Sequence, residues 1–462
     1  MNKKLISSLM ATALVLPMLV GCGNTASTTN STNESKVEAT TPVEETAKVE
    51  EVATEEGKVF NIYCWNEEFK SRMASHYPTY EEVDATTGKI GDVTVNWIIT
   101  PNDNNAYQNA LDEALLLQAD ASTDKKIDLF LIESDYALKY VDTEYTLDVI
   151  NDLGISEDQL SEQYQYTKDI VTDSNGNLKG VSWQGCPGAM IYRRDVAKQV
   201  YGTDEPAAIQ EKFSDWDKFL AEGEVLKGAG YQLTSSVNDT YRVFSNNVSS
   251  KWVVDGKINI DENIMKWVEM SKTMKDAGYT QTHDMWADDW SKGFTTAGNV
   301  FCYFGPAWFI DFTLGGHDLD GQWAMTTGPQ SFYWGGTWIC GATGTDNPSL
   351  VKDIIETLTC DKDTMVNIVK ADNDFVNNKS AMEEMAADTT YTNAVLGGQN
   401  PLKMFCEGAE QIDLSNLSPY DLGCTEEFQN AMKNYYLGTA TLDEALDLFY
   451  KNVEIKYPDI HR

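Results

Sequence analysis

Histidine is scarce in this chain, with 4 in 462 residues. They stand apart at His76, His283, His317 and His461, and no GxSxG or HExxH string accompanies them. Little is left for acid–base work or for a metal, and no cofactor or metal site is expected. After Cys22 the cysteines are 64, 186, 302, 340, 360, 406 and 424, an odd set with no CxxC spacing, so at least one thiol stays free. Several lie in apolar strand-like runs, where cysteine acts as a small hydrophobe, and a Cys302–Cys340 bridge between neighbouring strands stays open. Positive charge is also short: 35 Lys and Arg face 72 Asp and Glu, for a formal net charge of −37. With no basic cluster, nucleic acid is excluded as a partner and anionic ligands are disfavoured. Neutral solutes, cations or another protein remain.

The N-terminus is the most legible part. Lys3 and Lys4 precede a short apolar stretch, Leu5 to Met18, and then Leu19-Val20-Gly21-Cys22. This is an export signal, too short for the ~20 residues of a spanning helix, and no second apolar run of membrane length follows. LVGC resembles the bacterial lipobox, which makes residues 1–21 a lipoprotein signal peptide and Cys22 the lipidated residue. Two acyl chains suffice for stable anchoring. Residues 22–57 are mostly Ser, Thr, Asn, Ala and Glu without one aromatic, a composition that cannot offset its ordering entropy. We read them as a disordered acidic tether, and the protein as lipid-anchored on the extracytoplasmic face of the cell membrane, at a Gram-positive cell surface. The anchor is its only membrane contact.

The remaining body of about 400 residues exceeds what one core usually covers, so two lobes are expected. Val59 to Trp65 reads as a strand, Glu67 to about Ala85 as a helix, and Val93 to Ile99 as a strand. A helix from Ala106 to Ala119 follows, capped from Asn102-Asp103-Asn104, and then a buried parallel strand, Ile127 to Ile132. This alternation predicts an α/β lobe with a parallel sheet, in which ligands bind beyond the carboxyl ends of the strands.

Farther on, Gly180-Val181-Ser182-Trp183, Met190-Ile191-Tyr192-Arg193-Arg194-Asp195 and Trp216-Asp217-Lys218-Phe219 are followed by Lys292 to Asn299, Gly305-Pro306-Ala307-Trp308, Gly328-Pro329 and Trp334-Gly335-Gly336-Thr337. In this order the strings resemble the carbohydrate-binding lipoproteins of ABC importers, the maltose-binding-protein-like extracellular solute-binding family 1. The resemblance spans roughly residues 59–457. It implies a two-lobed periplasmic-binding-protein-like fold of type II with the ligand cleft between lobes. Lobe 1 would hold residues 58–182 plus 325–372, and lobe 2 residues 183–324 plus 373–462. It further implies a monomer that binds a neutral oligosaccharide and delivers it to the permease subunits of an ABC transporter, without catalysis.

A sugar site needs flat aromatic platforms and short polar groups. Trp65, Trp183, Trp308 and Trp334 stand at element ends or beside glycine, and Gly335 and Gly336 would let a ligand approach the backbone. Trp286 and Trp290 are four apart on one expected helical face. Asn66, Glu67, Asp103, Glu133 and Asp135 follow strands, where capping a helix is the competing role. Trp97, Trp216 and Trp267 fall at apolar positions of regular elements and are expected in the core. Two alternatives stay open: a cationic or peptidic solute held by Asp288 and Asp289 beside Trp286 and Trp290, and a secreted glycoside hydrolase using Glu133 and Asp135.

Overall fold

The computed structural model describes residues 56–462; the expected signal peptide, Cys22 and the expected tether up to residue 55 lie outside the described residues. Glu56 and Gly57, which the sequence assigns to the tether, are held by the body. The Gly57 N–H donates to Asp346 O at 3.1 Å, and the Glu56 carboxylate accepts from Ser349 N–H at 2.8 Å, at the start of helix Pro348–Ile355.

The strands in chain order are β1 (Val59–Cys64), β2 (Tyr80–Glu82), β3 (Thr87–Ile90), β4 (Val93–Ile99), β5 (Leu129–Glu133), β6 (Val181–Ser182), β7 (Pro187–Arg193), β8 (Val253–Val254), β9 (Lys257–Ile258), β10 (Cys302–Gly305), β11 (Trp323–Thr326), β12 (Phe332–Tyr333) and β13 (Thr337–Gly341). Seven form the first sheet in the order β2-β3-β4-β1-β5-β13-β6. Its centre, β4-β1-β5, is parallel, as the alternation of apolar strands and helices requires. The sheet is nonetheless mixed rather than parallel throughout, because β2 and β3 return as antiparallel neighbours of β4, and β13 comes back from the second lobe antiparallel to β5. The first helix is also shorter than expected, Glu68–His76: Tyr77 before Pro78 takes an extended conformation, and β2 follows within the expected helix.

The second sheet centres on β7, antiparallel to β10 on one side and to β11 and β12 on the other. Every residue of β7 is buried. Alternate side chains serve different cores: Ala189 and Ile191 belong to the first, and Met190 and Tyr192 to the second. The chain passes from the first sheet to the second between β6 and β7, and back between β12 and β13.

β11 and β12 lie in the second sheet, although residues from 325 onward were assigned to the first lobe. Helix Leu402–Ala409 packs on β7 and β12 of the second sheet, and helix Lys379–Ala387 lies between it and helix Lys362–Asp372. Cys302 and Cys340 are not neighbours: they sit in β10 and β13, in different sheets, and both are free thiols.

Candidate functional site

Where the lobes face each other, a cleft of about 570 Å³ opens beyond the carboxyl ends of β1 and β5. Eight of the twelve ligand-binding candidates line it: Trp65, Asn66, Glu133, Trp286, Trp308, Trp334, Gly335 and Gly336. One wall is aromatic. Trp308 and Trp334 meet edge to face with ring centroids 5.2 Å apart, and Trp286 stacks on Trp308 at 6.4 Å and 24°. Trp308 Nε1 donates to Trp334 O at 3.2 Å, which fixes the indole. Opposite, Trp65 stands edge-on to Tyr107 at 5.6 Å.

Trp286 and Trp290 do not share a helical face. The helix is only Asp288–Ser291, and Trp286 precedes it at φ +71, more than half exposed, with its ring edge-to-face with the buried Trp290 at 5.1 Å. The glycine pair also makes room for protein groups. Gly335 and Gly336 are at φ +82 and +98, where a Cβ would stand 3.1 Å from Trp308 Nε1 and 2.9 Å from the Tyr333 hydroxyl. The aromatic wall thus comes close to this backbone.

The other side of the cleft is polar. Helix Glu68–His76 begins beyond Trp65, with Asn66 Oδ1 accepting from the Glu68 N–H at 3.0 Å, and its i,i+4 spacing sets Glu68 and Arg72 together. The Arg72 guanidinium lies 2.8 Å from Asp372, 3.3 Å from Asp374 and 3.8 Å from Glu68. Gln184, on the first crossing, donates to Glu68 and Asp374, both at 2.9 Å. Burial pushes the Glu68 carboxyl up to about 7 against the pull of Arg72, and raises Asp374 as well. At the end of β5, Glu133 accepts from the Ser134 hydroxyl and the Asp135 N–H, and burial, with the nearby Asp135 charge, lifts its carboxyl well above the ordinary carboxylate range.

Four candidates lie outside the cleft. Trp183 is 1% exposed and stacks on Phe69 at 5.5 Å, so its position after a strand made it a core residue. Glu67 is exposed at the helix start, without a capping bond. Asp103 is exposed in a short 3₁₀ turn and caps nothing through its side chain; the helix Ala106–Leu116 starts from Asn105 at φ +63. Asp135 reaches across to the second lobe and forms a bidentate ion pair with Arg242. Asp288 and Asp289, which the alternative cationic reading would use, are also outside, and Asp289 pairs with Lys292.

The model of the bacterial extracellular solute-binding protein family matches residues 82–394. The chain belongs to that family. Among curated proteins no sequence matches it. Solved structures match over nearly the whole described body. A crystal structure described as an extracellular solute-binding protein family 1 covers 86% of this chain and 99% of its own, at TM-score 0.70 and 17% identity. The ABC-transporter-associated binding protein of B. animalis subsp. lactis Bl-04, in complex with β-1,6-galactobiose, covers 88% and 100% at TM-score 0.63 and 17% identity. The galacto-N-biose/lacto-N-biose I-binding protein of Bifidobacterium longum, in complex with lacto-N-biose, covers 88% and 100% at TM-score 0.64 and 12% identity. The fold of this solute-binding protein is thus the two-lobed one.

Among the described residues of the solute-binding protein, no helix is long and apolar enough to cross a membrane, and no cluster of His, Cys, Asp and Glu suits a metal ion. Sequence reasoning missed Glu68, Arg72, Gln184, Asp311, Phe312, Thr337, Asp372 and Asp374 along the cleft. Glu68 and Arg72 carried a signal in their spacing, but such pairs are common on solvated helix faces. Asp372 and Asp374 carried none, since only the packing of helix Lys362–Asp372 brings them to Arg72.

Proposed function

We propose that this solute-binding protein captures an oligosaccharide between its lobes and delivers it to the permease of an ABC transporter, acting as a monomer held to the extracytoplasmic membrane surface through lipid on Cys22. The observation that carries this reading is the aromatic wall. Trp286, Trp308 and Trp334 form a continuous surface, with adjoining ring centroids 5.2 to 6.4 Å apart. A cation caged between two parallel rings needs about 3.5–4 Å on each side, more than that spacing leaves. A surface of this kind suits the C–H face of a pyranose, while Glu68, Gln184, Glu133 and Thr337 offer partners to its hydroxyls. The sugars bound by the two Bifidobacterium proteins point the same way.

The reading includes no bond-making or bond-breaking in the ligand. Asp135, which a glycosidase mechanism would need free, is engaged by Arg242. A thermal-shift screen against a glycan library tests the reading, since a ligand at ~100 times its Kd adds about 2.7 kcal/mol of stability. A library with no stabilising glycan overturns it, and so does the appearance of cleaved products. For the anchor, Cys22→Ala is expected to release the protein from membranes, and absence of fatty-acid label on the wild type would refute lipidation.

A further inference from the structure

The aromatic surface of the cleft runs beyond the three tryptophans of the wall. Trp308 stands at the start of a π-helix, Phe309–Leu314, whose Phe309, Ile310, Thr313 and Leu314 are buried. Asp311 and Phe312 fall on the remaining face, three and four residues after Trp308, and all three line the cleft. Phe312 is 81% exposed, against 55% for Trp286, while Trp308 and Trp334 are half-buried. A side chain that lines a cleft and is still this open to water stands at its rim.

A single exposed phenylalanine on a flat surface would need no explanation. This one shares a cavity with the tryptophan wall, and polar groups stand beside it, as a pyranose requires. Asp311 accepts from Asn393 Nδ2 at 2.7 Å and takes a further hydrogen bond from Asn373. Asn373 lies between Asp372 and Asp374 in the chain, and the Asp372 side chain keeps 22% of its surface exposed. Trp286, the other exposed ring, is held at φ +71, a conformation that bulky side chains rarely adopt and that clusters at ligand clamps. An apolar ring near a carboxylate with open acceptor positions suits one more sugar unit. A ligand too short to reach the rim leaves that ring in water and gains nothing from it.

We propose that Phe312 determines the chain length of the ligand: it carries an outer sugar unit beyond those on Trp286, Trp308 and Trp334, so that saccharides of three or more units are selected over disaccharides. This rests on the oligosaccharide reading and deepens it.

The test is calorimetry on the full chain with malto-, cello-, xylo-, manno- and β-1,6-galacto-oligosaccharides, each from two to five units. In a series that binds, affinity is expected to rise roughly tenfold or more between the disaccharide and the longer members. Phe312→Ala should remove most of that rise, and Phe312→Tyr, which keeps a ring, should retain it. Because the side chain is exposed, both variants should melt close to wild type. If a disaccharide binds as tightly as its longer homologues, or if Phe312→Ala keeps the whole rise, the role of Phe312 is wrong and the oligosaccharide reading stands. If none of these saccharides binds, both readings fall.

Discussion

At the scale of single residues, tryptophan in this protein has two fates that depend on what stands behind the ring. Trp183 is sealed against Phe69, whereas Trp308 and Trp334 keep one side on the cleft. Truncation should therefore separate them. Trp183→Ala is expected to open a core cavity and cost about 3–5 kcal/mol of stability, read from denaturant unfolding, with little change in affinity for the protein that remains folded. Trp308→Ala and Trp334→Ala are expected to weaken ligand binding by about 2 kcal/mol or more each, measured by calorimetry at a temperature where all variants are folded. Equal binding by wild type and both cleft variants would remove the aromatic wall from the site.

At the scale of elements, the segment from β12 to β13 decides the wall's geometry. Tyr333 ends β12 and sends its hydroxyl to Gly335 O, Trp334 turns outward, and Gly335 and Gly336 return the chain to Thr337 at left-handed φ. Gly336→Ala places a Cβ 2.9 Å from the Tyr333 hydroxyl at φ +98. It is expected to destabilise the protein by about 1–3 kcal/mol and to weaken ligand binding, because Trp334 shifts with the loop. A variant with unchanged melting temperature and unchanged affinity would show that this turn is not what holds Trp334. The Gly-Gly string was legible in the sequence; its partner was not, since Trp308 approaches from another strand end.

At the scale of the whole molecule, Asp135 and Arg242 join the lobes, and the guanidinium also lies 5.9 Å from the Trp334 ring centroid. The pair is partly exposed, 26% and 27% at the side chains, so it is worth less than a buried one. It exists only when the lobes are close, and Arg242→Ala is expected to shift the population toward an open form. Small-angle scattering without ligand should then show a larger radius of gyration than wild type, and affinity should fall. An unchanged radius would mean that the pair does not govern closure.

Buried acids set a pH dependence for the same body. Burial raises Glu68 from 4.5 to about 7, and Asp239 and Asp421 from 3.8 to about 7. In the unfolded chain these groups lose their protons near pH 4, so between about pH 4 and 7 the folded state binds more protons. Their contribution is favourable below that window and is lost as pH rises through it. The melting temperature is expected to be higher near pH 5.5 than near pH 8, and Glu68→Gln should flatten part of the slope. A melting temperature that climbs steadily across this range would contradict the burial of these acids.

The sequence alone determined the alternation of strands and helices, the apolar strands β1, β4 and β5, the core placement of Trp97 and Trp267, and the ends of strands at which Trp65 and Glu133 would be found. These follow from local periodicity and from neighbours along the chain, which the sequence carries directly. Only the tertiary structure decided which strand ends face the cleft, that Trp183 turns inward, that Asp135 serves a partner on the other lobe, and that Glu68 and Arg72 meet Asp372 and Asp374 across some 300 positions. The physical reason is the repeated crossing between lobes. Each crossing brings together residues far apart in the chain, and a contact made by packing leaves no trace in the spacing of the residues that make it.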